Sequence, residues 1–193
     1  MKVLGVYGGS FDPPHLGHLL TATWVLGAGH VDELAIFPSA HHPLGKRPSA
    51  SFEARMAMCR ATFSDLPGAS VDGLEAELGG EGYTLDLLRA LAQREPGCAL
   101  HLVVGEDILE QTDRWHAWDE ICRLAPPVII GRQGADSRLE DADALRMPDV
   151  SSTELRARLR EVRSVRGLVH RRVLDVLARN NPYPDGLGAE EGR

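Results

Sequence analysis

Several kinds of residue are scarce in this chain, and each scarcity removes a class of function. Cysteine stands at only three of 193 positions (Cys59, Cys98 and Cys122), widely separated. That is too few for a disulfide framework and the wrong spacing for a zinc site, so a cytoplasmic setting is expected. No apolar run approaches the roughly 18 residues of a membrane helix, so no membrane partner is expected. The opening MKVLGVYGGS turns glycine-rich too early for a secretory leader. Basic charge is also short: 21 Lys and Arg face 28 Asp and Glu, a net charge of −7. A molecule with that balance does not draw nucleic acid or phosphate to its surface as a whole, so any anion site must be local.

What remains is an ordinary globular composition, 43% hydrophobic and 25% charged. Short β-rich runs alternate with helical stretches. Strands are predicted at VLGVY (3–7), ELAIFP (33–38), ASVDG (69–73), ALHLVV (99–104) and PVIIGR (127–132), with a weaker run at ALRMPD (144–149). Several are almost continuously apolar, as parallel strands covered on both faces are. Helices are predicted from near His15 to Gly27, from Phe52 to Phe63 behind an N-capping Ser51, and from Thr84 to just before Pro96. Others are expected over 116–124, SSTELRARLREV (151–162) and LVHRRVLDVLARN (168–180). The alternation implies an α/β fold, a doubly wound parallel sheet with C-terminal helices. A single domain over 1–180 and a loose tail over 181–193 are expected.

The densest stretch is GGSFDPPHLGH (8–18), between the first strand and the first helix. Ligands of open α/β sheets bind at the carboxyl ends of strands. Gly8 and Gly9 carry no side chain, so backbone can come close to a ligand. Exposed N–H groups of such a turn, with those of the helix start, suit a phosphate. Pro13 and Pro14 stiffen the loop, and Pro14 near the first helical position suits a helix start. His15 and His18 are three apart, so they share one helix face near its N-terminus. Neither GxxxxGK[ST] nor GxGxxG is present, so this is a different kind of phosphate loop. Near the other end, SSTELRARL begins with hydroxyls that can cap a helix while its N–H groups meet phosphate. Arg156, one turn in, can fork onto phosphate oxygens. Seven arginines against one acid between 156 and 172 read mostly as a solvated basic face.

GGSFDPPHLGH resembles the signature of the nucleotidylyltransferase superfamily, with its HxGH box after the first strand. Its GGSFDPxHxGH form is most similar to the nicotinate-nucleotide adenylyltransferase family. Four further stretches resemble that family in order: GYTLDLL (82–88), VVGEDILEQTDRW (103–115), IIGRQG (129–134) and SSTELR (151–156). The resemblance implies a Rossmann-like fold and adenylyl transfer from ATP to nicotinate mononucleotide, giving deamido-NAD and pyrophosphate. It implies that His15 and His18 are catalytic. ATP and its phosphates would fall to Gly8, Gly9, Ser10, Phe11, Lys46, Asp107, Arg132, Ser151, Ser152, Thr153 and Arg156. Nicotinate mononucleotide would fall to Tyr83, Thr84 and Trp115, the Trp stacking on the cationic pyridine. Mg²⁺ is expected on the triphosphate, held mainly by phosphate oxygens and water, with no metal ligands from the protein. The chain departs from the family pattern in PSAHHPLGKRP (38–48), where Pro-Pro-His-Lys is usual, at His116 in place of Tyr, and at Gln133 in place of Pro.

Three other readings stand beside this one. The first, resemblance to the pantetheine-phosphate adenylyltransferases, is disfavoured by His15, where those usually have Thr, and by the Tyr83/Thr84 loop. The acceptor could be the amide form, nicotinamide mononucleotide, since one carboxylate-or-amide contact separates the two. A non-catalytic nucleotide- or RNA-binding protein using the C-terminal arginines is disfavoured by the net charge and the few aromatics, 5% of the chain.

Overall fold

The computed structural model describes residues 1–40, 47–132, 146–147 and 150–183. Strand β1 (Val3–Gly9) leads to helix α1 (Leu16–Gly27), then β2 (Glu33–Pro38), α2 (Phe52–Phe63) and β3 (Ala69–Val71). The second half runs α3 (Leu74–Leu78), α4 (Thr84–Arg94) and β4 (Ala99–Gly105). Two 3₁₀ turns (Glu106–Glu110 and Thr112–Arg114) follow, then α5 (Trp118–Leu124), β5 (Pro127–Arg132) and β6 (Arg146–Met147). Helices α6 (Ser152–Arg160) and α7 (Arg171–Asn180) end the described chain.

The strands form one sheet in the order β3-β2-β1-β4-β5-β6, and every pairing is parallel. Alternate side chains go to opposite faces, as the pleat requires. Leu4 and Val6 of β1, Ala35 and Phe37 of β2, and Leu100, Leu102 and Val104 of β4 meet α4 and α5 through Leu85, Leu88, Leu91 and Ile121. On the other face Leu34, Ile36, Val103 and Ile130 meet α1 and α2 through Ala22, Val25, Cys59 and Phe63. A third cluster joins the C-terminal helices to α2: Leu155, Val165, Val169, Val173 and Tyr183 pack with Met58 and Ala50.

Strand order reverses at β1, since β2 lies to one side of it and β4 to the other. The exits of β1 and β4 therefore part from each other and leave a crevice at the carboxyl edge of the sheet. Gly5 makes the middle of β1 thin enough for its neighbours: a Cβ there would lie 2.7 Å from Leu34 Cδ1 and 3.1 Å from Val31 Cγ1.

Several elements differ from the sequence expectation. Strand β3 stops at Val71, because Asp72 Oδ1 accepts the Leu74 N–H at 2.8 Å and turns the chain into α3, a helix not expected. Helix α7 starts at Arg171, three residues later than read from the sequence. The backbone before it is engaged elsewhere, with Gly167 at φ +81° and the Leu168 carbonyl accepting from Leu16 N–H at 2.8 Å. Helix α6 ends at Arg160, and Val162 follows in the left-handed region at φ 54°.

Candidate functional site

A cavity of about 420 Å³ opens at that crevice, within the size range of small-molecule sites. Its wall comes mainly from three places, with Ser39, Glu75 of α3, Ile130 of β5 and Val150 adding to it. The β1 exit supplies Tyr7, Gly8, Gly9 and Ser10, followed by His15 and His18. The start of α4 supplies Tyr83 and Thr84. The β4 exit supplies Gly105, Asp107, Gln111, Arg114, Trp115 and His116. A Cβ at Gly8 would meet nothing within 4 Å, so that glycine leaves space where strand ends and cavity begins.

His15 is the N-cap of α1, in extended conformation, rather than a first-turn residue, and His18 is the third residue of the helix. Pro14 consequently precedes the cap instead of occupying the first helical position. The His15 backbone N–H donates to His18 Nδ1 at 3.0 Å, the same closure a Glu or Gln makes at that helix position. With Nδ1 accepting, the proton of a neutral His18 ring lies on Nε2. The two imidazoles stack at 3.7 Å between centroids and 27° between planes. Phe11 does not join the wall, although the sequence placed it with the ATP ligands. Its ring is 2% exposed, packs edge-on to His18 at 4.9 Å and to Tyr7 at 5.4 Å, and so holds the histidine from behind.

The start of α6 docks on the same loop. Ser151 caps the helix, accepting the Glu154 N–H at 3.1 Å. Ser152 Oγ donates to the Pro13 carbonyl at 2.9 Å. Arg156 Nη1 donates to the Asp12 carbonyl at 2.7 Å, and Nη2 to Thr153 Oγ1 at 3.2 Å. So Ser151, Ser152, Thr153 and Arg156 lie beside the HxGH loop, separated from His15 by two prolines of chain, but outside the cavity wall itself. Lys46, with His41 and His42, lies outside the described residues, as does the side chain of Arg132, whose backbone ends β5.

A buried polar network that sequence reasoning missed ties these pieces together. Asp12, 3% exposed, accepts Ser49 N–H at 2.7 Å, Ala50 N–H at 3.0 Å and the Tyr183 hydroxyl at 2.9 Å, with Arg156 Nη1 3.6 Å from its carboxylate. Arg55, 2% exposed, donates to the Ser10 carbonyl at 2.8 Å, the Ser39 carbonyl at 2.7 Å and the Ala50 carbonyl at 3.3 Å. One guanidinium thus pins the exits of β1 and β2 from behind the cavity. Burial lowers the Arg55 pKa from its ordinary value, opposed by the Asp12 charge. Burial first, and then the Asp12 charge, raise the Tyr183 phenol above its ordinary value, so the phenol stays a donor. A signal for Arg55 did exist: it shares the buried stripe of α2 with Met58, Cys59, Thr62 and Phe63.

At the other part of the wall, the Tyr83 and His116 rings stack at 4.6 Å and 26°. Trp115 meets Trp118 edge-on at 5.3 Å. Tyr83, Trp115 and His116 form an aromatic side of the cavity, with Thr84 in the first turn of α4 beside them. Among the described residues no group of three or more His, Cys, Asp or Glu could hold a metal ion, and no helix is long and apolar enough to cross a membrane. Of the C-terminal arginines, Arg158 pairs with Glu154 at 2.6 Å, Arg163 with Glu161 at 2.7 Å and Arg172 with Asp65 at 2.7 Å, while Arg160, Arg166 and Arg171 are exposed.

Residues 6–158 match the cytidylyltransferase-like family. A relative from Anaeromyxobacter dehalogenans, described as "Probable nicotinate-nucleotide adenylyltransferase", is 44% identical over 176 residues, covering 90% of this chain and 92% of the relative. One of the same description from Gemmatimonas aurantiaca is 39% identical, covering 93% of this chain and 92% of the relative. In fold the chain is similar to the Plasmodium falciparum nicotinic acid mononucleotide adenylyltransferase complexed with NaAD. That likeness has a TM-score of 0.78 at 17% identity and covers 97% of this chain and 100% of that one. With its HxGH loop, aromatic wall and α6 docked around one crevice, and with relatives at this identity over nearly their whole length, this chain belongs to the cytidylyltransferase-like family and, within it, to the nicotinate-nucleotide adenylyltransferase family.

Proposed function

We propose that this protein transfers the adenylyl group of ATP to nicotinate mononucleotide, releasing pyrophosphate and forming deamido-NAD. The observation that carries this reading is the single cavity that has stacked histidines and a glycine turn on one wall and an aromatic slot on another. The names of the curated relatives support the same reading.

The mononucleotide's phosphate oxygen is already ionised at neutral pH, so it needs no activating base. It attacks the α-phosphorus of ATP, the bond to the bridging oxygen breaks, and pyrophosphate leaves. The enzyme's work is to bring two polyanions together and to stabilise charge growing on the phosphoryl oxygens. His18 Nε2–H donates to an α-phosphate oxygen, while Nδ1 stays on the His15 N–H. His15 and the N–H groups after Gly8 and Gly9 cradle the chain of phosphates. The first turn of α6, Arg156 and Lys46 take the β- and γ-phosphates. Asp107 accepts a ribose hydroxyl of the adenosine, and Arg132 borders the adenine. Trp115 stacks on the pyridine, whose carboxylate Thr84 orients with the first N–H groups of α4. Mg²⁺ accompanying ATP would neutralise part of the triphosphate charge, with no protein side chain assigned to hold it.

Steady-state pyrophosphate release with ATP and either mononucleotide tests the proposal. The acid form is expected to give the higher kcat/KM. An amide form used equally well moves the acceptor assignment to nicotinamide mononucleotide. No turnover with either, despite nucleotide binding, leaves a binding protein.

A further inference from the structure

The charges around the cavity are unevenly placed. Two carboxylates line it, Glu75 and Asp107, and the cationic or titratable groups are His15, His18, His116 and Arg114. The two histidines of α1 stand at the glycine turn, where the polyphosphate belongs. His116 is engaged face to face with Tyr83. That leaves Arg114 as the one permanent cation among the described wall residues, immediately before Trp115 and at the end of the second 3₁₀ turn. Its backbone is held, with Arg114 N–H donating to the Gln111 carbonyl at 2.9 Å. Its side chain is exposed and has no ion pair among the described residues.

We infer that Arg114 selects the acid mononucleotide over the amide by placing its guanidinium against the pyridine carboxylate. The inference rests on the function proposed above and names the residue that sets acceptor choice. A carboxylate entering a cavity that already holds Glu75 and Asp107 meets repulsion, which an uncharged amide escapes. A guanidinium beside the aromatic slot reverses that preference and offers a planar fork to a planar carboxylate. Thr84 and the start of α4 orient either form, because an amide oxygen also accepts from N–H. The permanent charge tells the two apart. Trp115 and Arg114 both line the cavity, so a pyridine stacked on the one carries its substituent into the space that the other borders.

The experiment is the ratio of kcat/KM for the acid to kcat/KM for the amide, measured in the wild type, Arg114→Met and Arg114→Lys. The exposed side chain can be changed without opening the core, and circular dichroism with thermal melting checks that it has been. In Arg114→Met the ratio is expected to fall about ten- to a hundredfold, the size of one charge-assisted hydrogen bond. Arg114→Lys is expected to recover part of it, since it keeps the charge and loses the fork. A ratio unchanged in Arg114→Met overturns the inference. That holds whether both substrates suffer equally, as for a contact with the shared phosphate, or neither does. The wild type separates this failure from failure of the proposed function: a wild-type enzyme without preference for the acid rejects the acceptor assignment before any variant is read.

Discussion

At position 18 the two ring nitrogens have separate duties. Nδ1 closes the start of α1 on the His15 N–H, and the proposed function gives Nε2 the role of donor to a phosphoryl oxygen. His18→Ala removes both. Loss of one donor to developing charge lowers kcat by about 10²–10³-fold. Loss of the cap costs about 1 kcal/mol, which in a chain of this length lowers the melting point by roughly 2–4 °C. Turnover beside a melting curve therefore shows a folded, slow enzyme, and an unchanged kcat removes His18 from the chemistry. Arg55 tests the scaffold instead. Arg55→Met leaves the carbonyls of Ser10, Ser39 and Ala50 without their donor and takes a positive charge from the neighbourhood of Asp12. Removing one partner from a buried charged network costs roughly 3–5 kcal/mol, to be read from urea denaturation. A loss under 1 kcal/mol contradicts the pinning role. The proximity of His15 and His18 was legible in the sequence because they stand three positions apart at a helix start. The Arg55 and Tyr183 contacts were not, because Tyr183 and Asp12 are 171 positions apart and only folding makes them neighbours.

Elements show the same division between local and distant causes. Strands β1, β2, β4 and β5 were readable from apolar runs, since burial on both faces leaves little else for their residues to be. Helix α3 was hidden in GLEAELGG, a stretch too short to show a period and bounded by turn-forming glycines. Its start depends on one carboxylate, Asp72, folding back on its own backbone. The start of α7 was misplaced because Leu168 pairs with Leu16, a contact outside any local window. The interior of β1 offers a test at this scale. In Gly5→Ala the new methyl presses on Leu34, itself fully buried, and overpacking of that kind costs about 1–3 kcal/mol. Thermal melting should show the loss with β1 still paired. A variant as stable as the wild type means that Leu34 and Val31 yield freely.

Over the whole molecule, the reversal of strand order at β1 is what gathers the site. It parts the exits of β1 and β4, and each contributes a wall: the glycine turn and histidines from one, Asp107 through His116 from the other. The C-terminal helices close the arrangement from outside, through Ser152 and Arg156 on the signature loop and Tyr183 on Asp12. Order of elements and boxes could be read from the chain, and with it the class of fold. Which side chains face the cavity and which, like Phe11, stand behind it could not, since that depends on how α1 seats on the sheet.

The central claim is that the two nucleotides meet in one cavity and react directly, the acceptor's phosphate on the α-phosphorus, with the histidines as donors rather than as nucleophiles. ATP carrying sulfur in place of one non-bridging α-oxygen, as a single diastereomer, reports the course of that step. One in-line displacement inverts the phosphorus; passage through an adenylyl-histidine displaces it twice. Inversion in the dinucleotide product is predicted, and retention would contradict the account.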